Sequence, residues 1–183
     1  MNKERLVSYT DAVIAIAATI MVLELHAPKS VSVPALFSMW PTMLAYVISF
    51  ALIYLVWMSH QNIFNKANVI SIQTYLINGI WLFILTLVPF ATSWVGEHPN
   101  DTLPEFLYML IEFLWGFCFQ LMDNQIIRDN PGVEKDVTDT FLARTVLYGG
   151  LVLAMMMSFF IPIMSLVILG FVLIILTIVI IRN

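Results

Sequence analysis

The run RLVSYTDAVIAIAATIMVLEL, from Arg5 to Leu25, decides the fold. It is long and apolar enough to cross a bilayer, yet an arginine and an aspartate stand in its first two turns. Ionisable side chains are costly in hydrocarbon and face protein or water rather than lipid. A basic tip before an apolar core also describes a signal peptide. Asp11 interrupts that core, however, and Glu24-Leu-His-Ala-Pro28 lacks the small-x-small cleavage pattern, so the segment reads as a retained helix.

The whole chain agrees with this reading. Of its 183 residues, 61% are hydrophobic and 11% charged, where soluble domains carry about a quarter charged residues. This composition predicts an integral membrane protein. The net charge of −4 and the scattered basic residues give nucleic-acid binding no support. The single cysteine, Cys118, excludes an internal disulfide. Metal-ligand spacings, phosphate loops and hydrolase motifs are absent, which speaks against an enzyme and against a cofactor.

A helix needs about 20 apolar residues to cross ~30 Å of hydrocarbon. On that rule the spans fall near residues 6–25, 36–60, 69–94 and 104–122. Pro34 and Pro41 mark the first turns of the second. The uncharged stretch Thr145–Ile181 would be about 55 Å long as one helix. Pro162 divides it into spans near 141–160 and 163–181, joined by a tight hairpin. The expectation is one all-α domain over residues 1–183, with six transmembrane helices and no re-entrant filter loop.

Lysine and arginine set the orientation. A cytoplasmic N-terminus puts Lys3, Arg5, Lys66, Arg128, Lys135, Arg144 and Arg182 inside and leaves only Lys29 outside. Both termini are then cytoplasmic. Trp40 and Trp94 fall near the outer interface and Trp57 near the inner one. Asn130-Pro-Gly132 reads as a turn, with the charges after it capping the fifth span. Asn100-Asp-Thr102 matches a glycosylation sequon, a signal that chance often produces.

Depth then sorts the polar residues. Arg5, Ser8, Asp11, Trp57, His60, Gln73, Asn78 and Arg144 converge on one inner-leaflet layer. Arg5 and Arg144 can snorkel from helix ends. Asp11 is too short for that and is expected to bond Arg5, Ser8 or His60, locking helices together. A proton relay through Asp11 and His60 is the sharper alternative. Glu112, alone in the fourth span, reads as a protonated packing residue rather than an ion site.

The first span has two faces. At ~100° per residue and with Ile16 at zero, Ile20 falls at roughly +40°, Leu23 at −20°, Thr19 at −60° and Asp11 at −140°. By spacing alone, the Ile16–Ile20–Leu23 stripe is ordinary lipid-facing or core surface. Around a symmetry axis it would instead become stacked apolar rings, which gate ions by dewetting.

The pattern Arg5-x-x-x-Tyr9-Thr10-Asp11-x-Val-x-Ala15-Ile16-x-x-Thr19-x-x-x-Leu23-Glu24 resembles the first-span signature of the transmembrane protein 175 family, lysosomal and prokaryotic potassium channels. Trp57-x-x-His60-x-x-x-Phe64 and Leu85-x-x-x-Pro89-Phe90-x-Thr92 resemble its second-span signature and third-span ending. Tyr-Thr-Asp stands where the family has Phe-Ser-Asp. The resemblance implies a homotetramer in a prokaryotic cell membrane, passing monovalent cations, potassium above sodium, with no cofactor. It implies a pore lined by Ile16, Thr19, Ile20 and Leu23, and a polar network of Arg5, Tyr9, Thr10, Asp11, Trp57 and His60. The stretch Thr145-Val-Leu-Tyr148-Gly-Gly150 shares letters with the TVGYG carbonyl filter but opens a helical span, and it reads as packing. A proton-coupled transporter using Asp11 and His60, and a non-conducting membrane scaffold, are the competing functions.

Overall fold

The structure, a computed structural model, describes residues 2–133 and 140–182; Lys135 and the charged residues after the Asn130 turn lie outside them. Eight helices run through the described residues: α1 Lys3–Leu23, α2 Val33–Ser38, α3 Trp40–Lys66, α4 Ile72–Leu85, α5 Val88–Glu97, α6 Thr102–Asp129, α7 Phe141–Met157 and α8 Ile163–Arg182. Five helical segments, counting α4 and α5 as one, are long and apolar enough to cross a membrane. A further apolar helix, α7, is shorter at 17 residues, or about 25 Å.

Three of the helical segments depart from the sequence expectation at their ends or within them. The second span begins at Trp40, because Pro34 starts the separate short helix α2 and Pro41 restarts the chain as α3. It also runs past His60 to Lys66. The third span is kinked. Pro89 has no N–H to give the preceding turn, so the chain loosens at Thr86–Leu87 before α5 begins. The fourth runs beyond Met122 to Asp129, two polar turns that hydropathy does not register.

One end of the bundle is tied by polar contacts. Lys3 Nζ, from the start of α1, donates to the carbonyls of Phe64 (3.1 Å) and Ala67 (2.8 Å) at the end of α3. Asn130, after α6, clamps the α3–α4 connection. Its Oδ1 accepts from the backbone N–H groups of Asn68 (2.8 Å) and Val69 (2.7 Å), and its Nδ2 donates to the carbonyls of Val69 (2.8 Å) and Ile126 (2.9 Å). Arg144 of α7 lines a cavity together with Ser59 and Gln120, at this same end. At the far end of α7, Ser165 donates to the Ala154 carbonyl (2.9 Å) and pins the hairpin at Pro162.

The core between is apolar and aromatic, with Trp81 stacked on Trp115 at 5.5 Å between ring centroids. Two glycines permit close helix approach. Thr145–Gly150 lies within α7, and a Cβ on Gly150 would collide with Val172 Cγ2 of α8, so glycine lets the two helices pack closely there. A Cβ on Gly96 would sit 2.8 Å from the Thr42 Cα, where the Thr42 hydroxyl donates to the Gly96 carbonyl at 2.9 Å. Gly96→Ala is therefore expected to destabilise by about 2 kcal/mol through overpacking of α3 against α5. Gly79→Ala, with open space at its Cβ, should be neutral or stabilising by up to about 1 kcal/mol. Unfolding titrations of the two variants side by side check the contrast.

Candidate functional site: the two faces of α1

α1 buries Leu6, Thr10, Ile14, Ala17 and Met21 at a spacing of three to four residues. The opposite strip is open: Ile16 is 59% exposed, Ile20 42% and Leu23 73%, with Thr19 exposed beside them. The buried strip packs on α3, α4 and α5.

Two separate hydrogen-bonded groups hold the buried side. In the first, Asp11 Oδ1 accepts from Trp57 Nε1 at 2.8 Å and from Gln61 Nε2 at 2.6 Å. Trp57 and Gln61 are four residues apart on α3, so one face delivers both donors. In the second, Asn78 of α4 bridges the helices, with Nδ2 donating to Thr10 Oγ1 at 3.0 Å and Oδ1 paired with His60 Nε2 at 3.1 Å. The His60 ring is fully buried between Phe64 and Trp81, at centroid distances of 4.3 and 5.2 Å.

The expected partners of Asp11 were Arg5, Ser8 or His60; those found are Trp57 and Gln61. Arg5 lies six residues before Asp11, about 120° round the helix, and is exposed, as are Ser8 and Tyr9. Thr10 and His60 are joined through Asn78 instead. Gln61 and Asn78 complete the two groups. The i, i+4 spacing from Trp57 was the available signal for Gln61, and the place of Asn78 in the expected polar layer the signal for Asn78. No hydrogen bond joins Asp11 directly to His60. Glu112 is buried in α6.

Asp11→Ala should cost about 2 kcal/mol, because it leaves two half-buried donors without an acceptor. Asp11→Asn should cost less, since its amide oxygen can still accept from both donors, as weaker neutral bonds. Thermal unfolding monitored by tryptophan fluorescence orders the two variants.

Nothing in these groups resembles a catalytic arrangement. They brace one helix whose other face is apolar and open. Residues 5–89 match the family model described as endosomal/lysosomal potassium channel TMEM175. A protein of Chryseobacterium sp. (strain P1-3), named a potassium channel, is 34% identical over 128 residues, which cover 70% of this chain and 67% of the relative. The human endosomal/lysosomal proton channel TMEM175 is 31% identical over 118 residues, covering 56% of this chain and 23% of that protein. The crystal structure of a lysosomal potassium-selective channel TMEM175 homolog from Chamaesiphon minutus superposes with a TM-score of 0.83 at 27% identity, covering 96% of each chain. The chain belongs to the TMEM175 family, which are membrane ion channels and not enzymes.

Proposed function

We propose that this protein is a potassium-preferring cation channel: a homotetramer of one six-helix domain, residues 1–183, with both termini cytoplasmic, in a prokaryotic cell membrane. The supporting observation is the division of α1 into a braced face and an open one. With four copies around an axis, Ile16, Ile20 and Leu23 each become a ring, and the rings form a narrow apolar neck. Thr19 lies between them. Its hydroxyl hydrogen is committed to the Ala15 carbonyl at 2.6 Å, so its oxygen keeps lone pairs to offer a passing cation. No re-entrant loop takes part in this reading. The names of the relatives, potassium channels in bacteria and a proton channel in human, agree on a cation pathway.

Selectivity then comes from dehydration. An apolar neck returns little of the hydration an ion gives up on entering it. Potassium holds its water less strongly than sodium and crosses at lower cost. No resident cofactor is needed; the potassium ion is the permeant species. The polar groups at Asp11 and at Thr10–Asn78–His60 hold α1 at a fixed distance from the axis.

Reconstitution into liposomes with opposed potassium and sodium gradients and a proton-sensitive dye tests the proposal. A potassium leak that sets a Nernst potential, without stoichiometric proton movement, is the expected result. Saturable flux driven by pH would indicate a transporter instead. Silence from well-folded tetramers would indicate a scaffold.

A further inference from the structure

The open strip of α1 does not begin at Ile16. Carried back towards the N-terminus on the same angular scale, Tyr9 falls at roughly +20° and Arg5 at roughly −20°. Arg5, Ala12, Ile16 and Leu23 thus stand at i, i+7, i+11 and i+18, the spacing of one helix face, and all four are exposed. Tyr9, between Arg5 and Ile16, is exposed as well.

Helix ends commonly fray, but this one is tied down. Asn2 Oδ1 accepts from the Arg5 backbone N–H at 3.2 Å, and the Asn2 carbonyl accepts from the Tyr75 hydroxyl of α4 at 2.6 Å. Lys3 is held on the carbonyls that end α3, and Leu6 is buried. The direction of Arg5 is therefore set by the helix. Its guanidinium makes no ion pair or hydrogen bond among the described residues. The nearby acids point elsewhere, Glu4 at roughly −120° and Asp11 at roughly −140°. Asp11 is also taken up by Trp57 and Gln61. At the other end of α1, about 28 Å away, the sign reverses. There the exposed Glu24 shares a surface hollow with Glu97 and Lys29, two acids to one lysine.

We propose that Arg5 forms a ring of four guanidinium groups at the cytoplasmic mouth of the pore and makes the channel rectify, passing cations inwards more readily than outwards. The inference rests on the tetrameric channel proposed above, in which whatever shares a face with Ile16 also faces the axis. Ions leaving the cell meet the ring before the neck. Its positive potential thins the cations waiting at that entrance, whereas the acids at the outer mouth gather them. When entry limits the current, the outward limb is short of ions and the inward limb is not. Such a field carries about 10 Å into the mouth at 0.1 M salt and only about 3 Å at 1 M, so rectification from this source fades as salt rises.

Excised inside-out patches fix which side is cytoplasmic and supply the test. In symmetrical 0.1 M potassium chloride, the wild type is expected to carry about threefold more current inwards than outwards at equal and opposite voltages, and nearly equal currents at 1 M. Arg5→Gln should bring the ratio to about one, and Arg5→Lys should preserve it, because the charge and not the shape is at work. Arg5→Cys lets the charge be changed in place, since the native Cys118 is buried. With a methanethiosulfonate added on the cytoplasmic side, the thiolate attacks the sulfenyl sulfur, methanesulfinate leaves, and the charged head stays as a mixed disulfide. A trimethylammonium head should restore the wild-type ratio, and a sulfonate head should invert it. The potassium-to-sodium permeability ratio, set at the Ile16 neck, should not move in any of these variants. A conducting wild type with equal limbs at 0.1 M would overturn the ring alone. So would a ratio unchanged in Arg5→Gln, or one indifferent to the sign of the head added at position 5. A silent wild-type tetramer would overturn the channel reading, and the ring falls with it.

Discussion

Asn78→Leu is expected to destabilise the protein by about 4 kcal/mol, although leucine matches asparagine in heavy-atom count and branching. Asn78 is 1% exposed and is the bridge between two other fully buried polar groups, Thr10 and His60. Leucine would leave the Thr10 hydroxyl and the His60 ring nitrogen without partners in an apolar interior. Each orphaned group costs about 1–3 kcal/mol, beyond the roughly 1 kcal/mol net value of each lost bond. Such a loss is a large share of the total for a protein of ordinary stability, about 5–15 kcal/mol. His60→Phe should cost less. It preserves the stack on Phe64 and Trp81 and removes a single bond, leaving only the Asn78 oxygen in need. A double-mutant cycle gives a sharper check: adding Thr10→Val to Asn78→Leu should cost less than the two single losses summed, because the hydroxyl orphaned by the first change is deleted by the second. Strict additivity in unfolding titrations would show that the bridge does not couple α1 to α4.

The spans were readable because a bilayer imposes a length and a composition, and both survive in a single sequence. The breaks were less readable, because hydropathy measures hydrocarbon and not helices. The two extra turns of α6, with Asp123, Gln125, Arg128 and Asp129, continue the helix beyond the apolar stretch. Pro89 was visible, but its effect on the third span depends on which carbonyl it leaves unsatisfied. The two faces of α1 followed from angular position alone, with Ile16, Ile20 and Leu23 opposite Asp11. The partners of Asp11 did not, since they depend on how α3 rotates against α1, and three helix positions (Trp57, His60, Gln61) compete for that role. Arg5 could have been set aside on geometry, being about 120° away from Asp11. Asn130 shows the remaining limit. A turn residue in the local sequence, it binds a connection some sixty residues earlier, and only tertiary packing reveals that contact.

Ile16→Asn should raise unitary conductance by about tenfold and bring the potassium-to-sodium permeability ratio close to one. Because Ile16 is 59% exposed in the subunit, the substitution opens no core cavity and should leave folding and assembly intact. The effect belongs to the neck. In the proposed tetramer, four asparagine side chains would supply donors and acceptors where four isoleucines supply none, stabilising water and ions at the narrowest point. A barrier lowered by about 1.4 kcal/mol corresponds to a tenfold rise in rate. Because sodium gives up its water at the greater cost, it gains more from the new polar ring, and discrimination falls. Reversal potentials under bi-ionic conditions measure the ratio directly, and single-channel recordings measure the conductance. Leu23→Asn, at the 73% exposed end of the same stripe, serves as the comparison. If Leu23→Asn collapses the ratio and Ile16→Asn does not, the neck lies a turn or two further along α1. If neither variant changes it while tetramers remain intact, α1 does not line the selective part of the path, and the open apolar face is a surface for lipid.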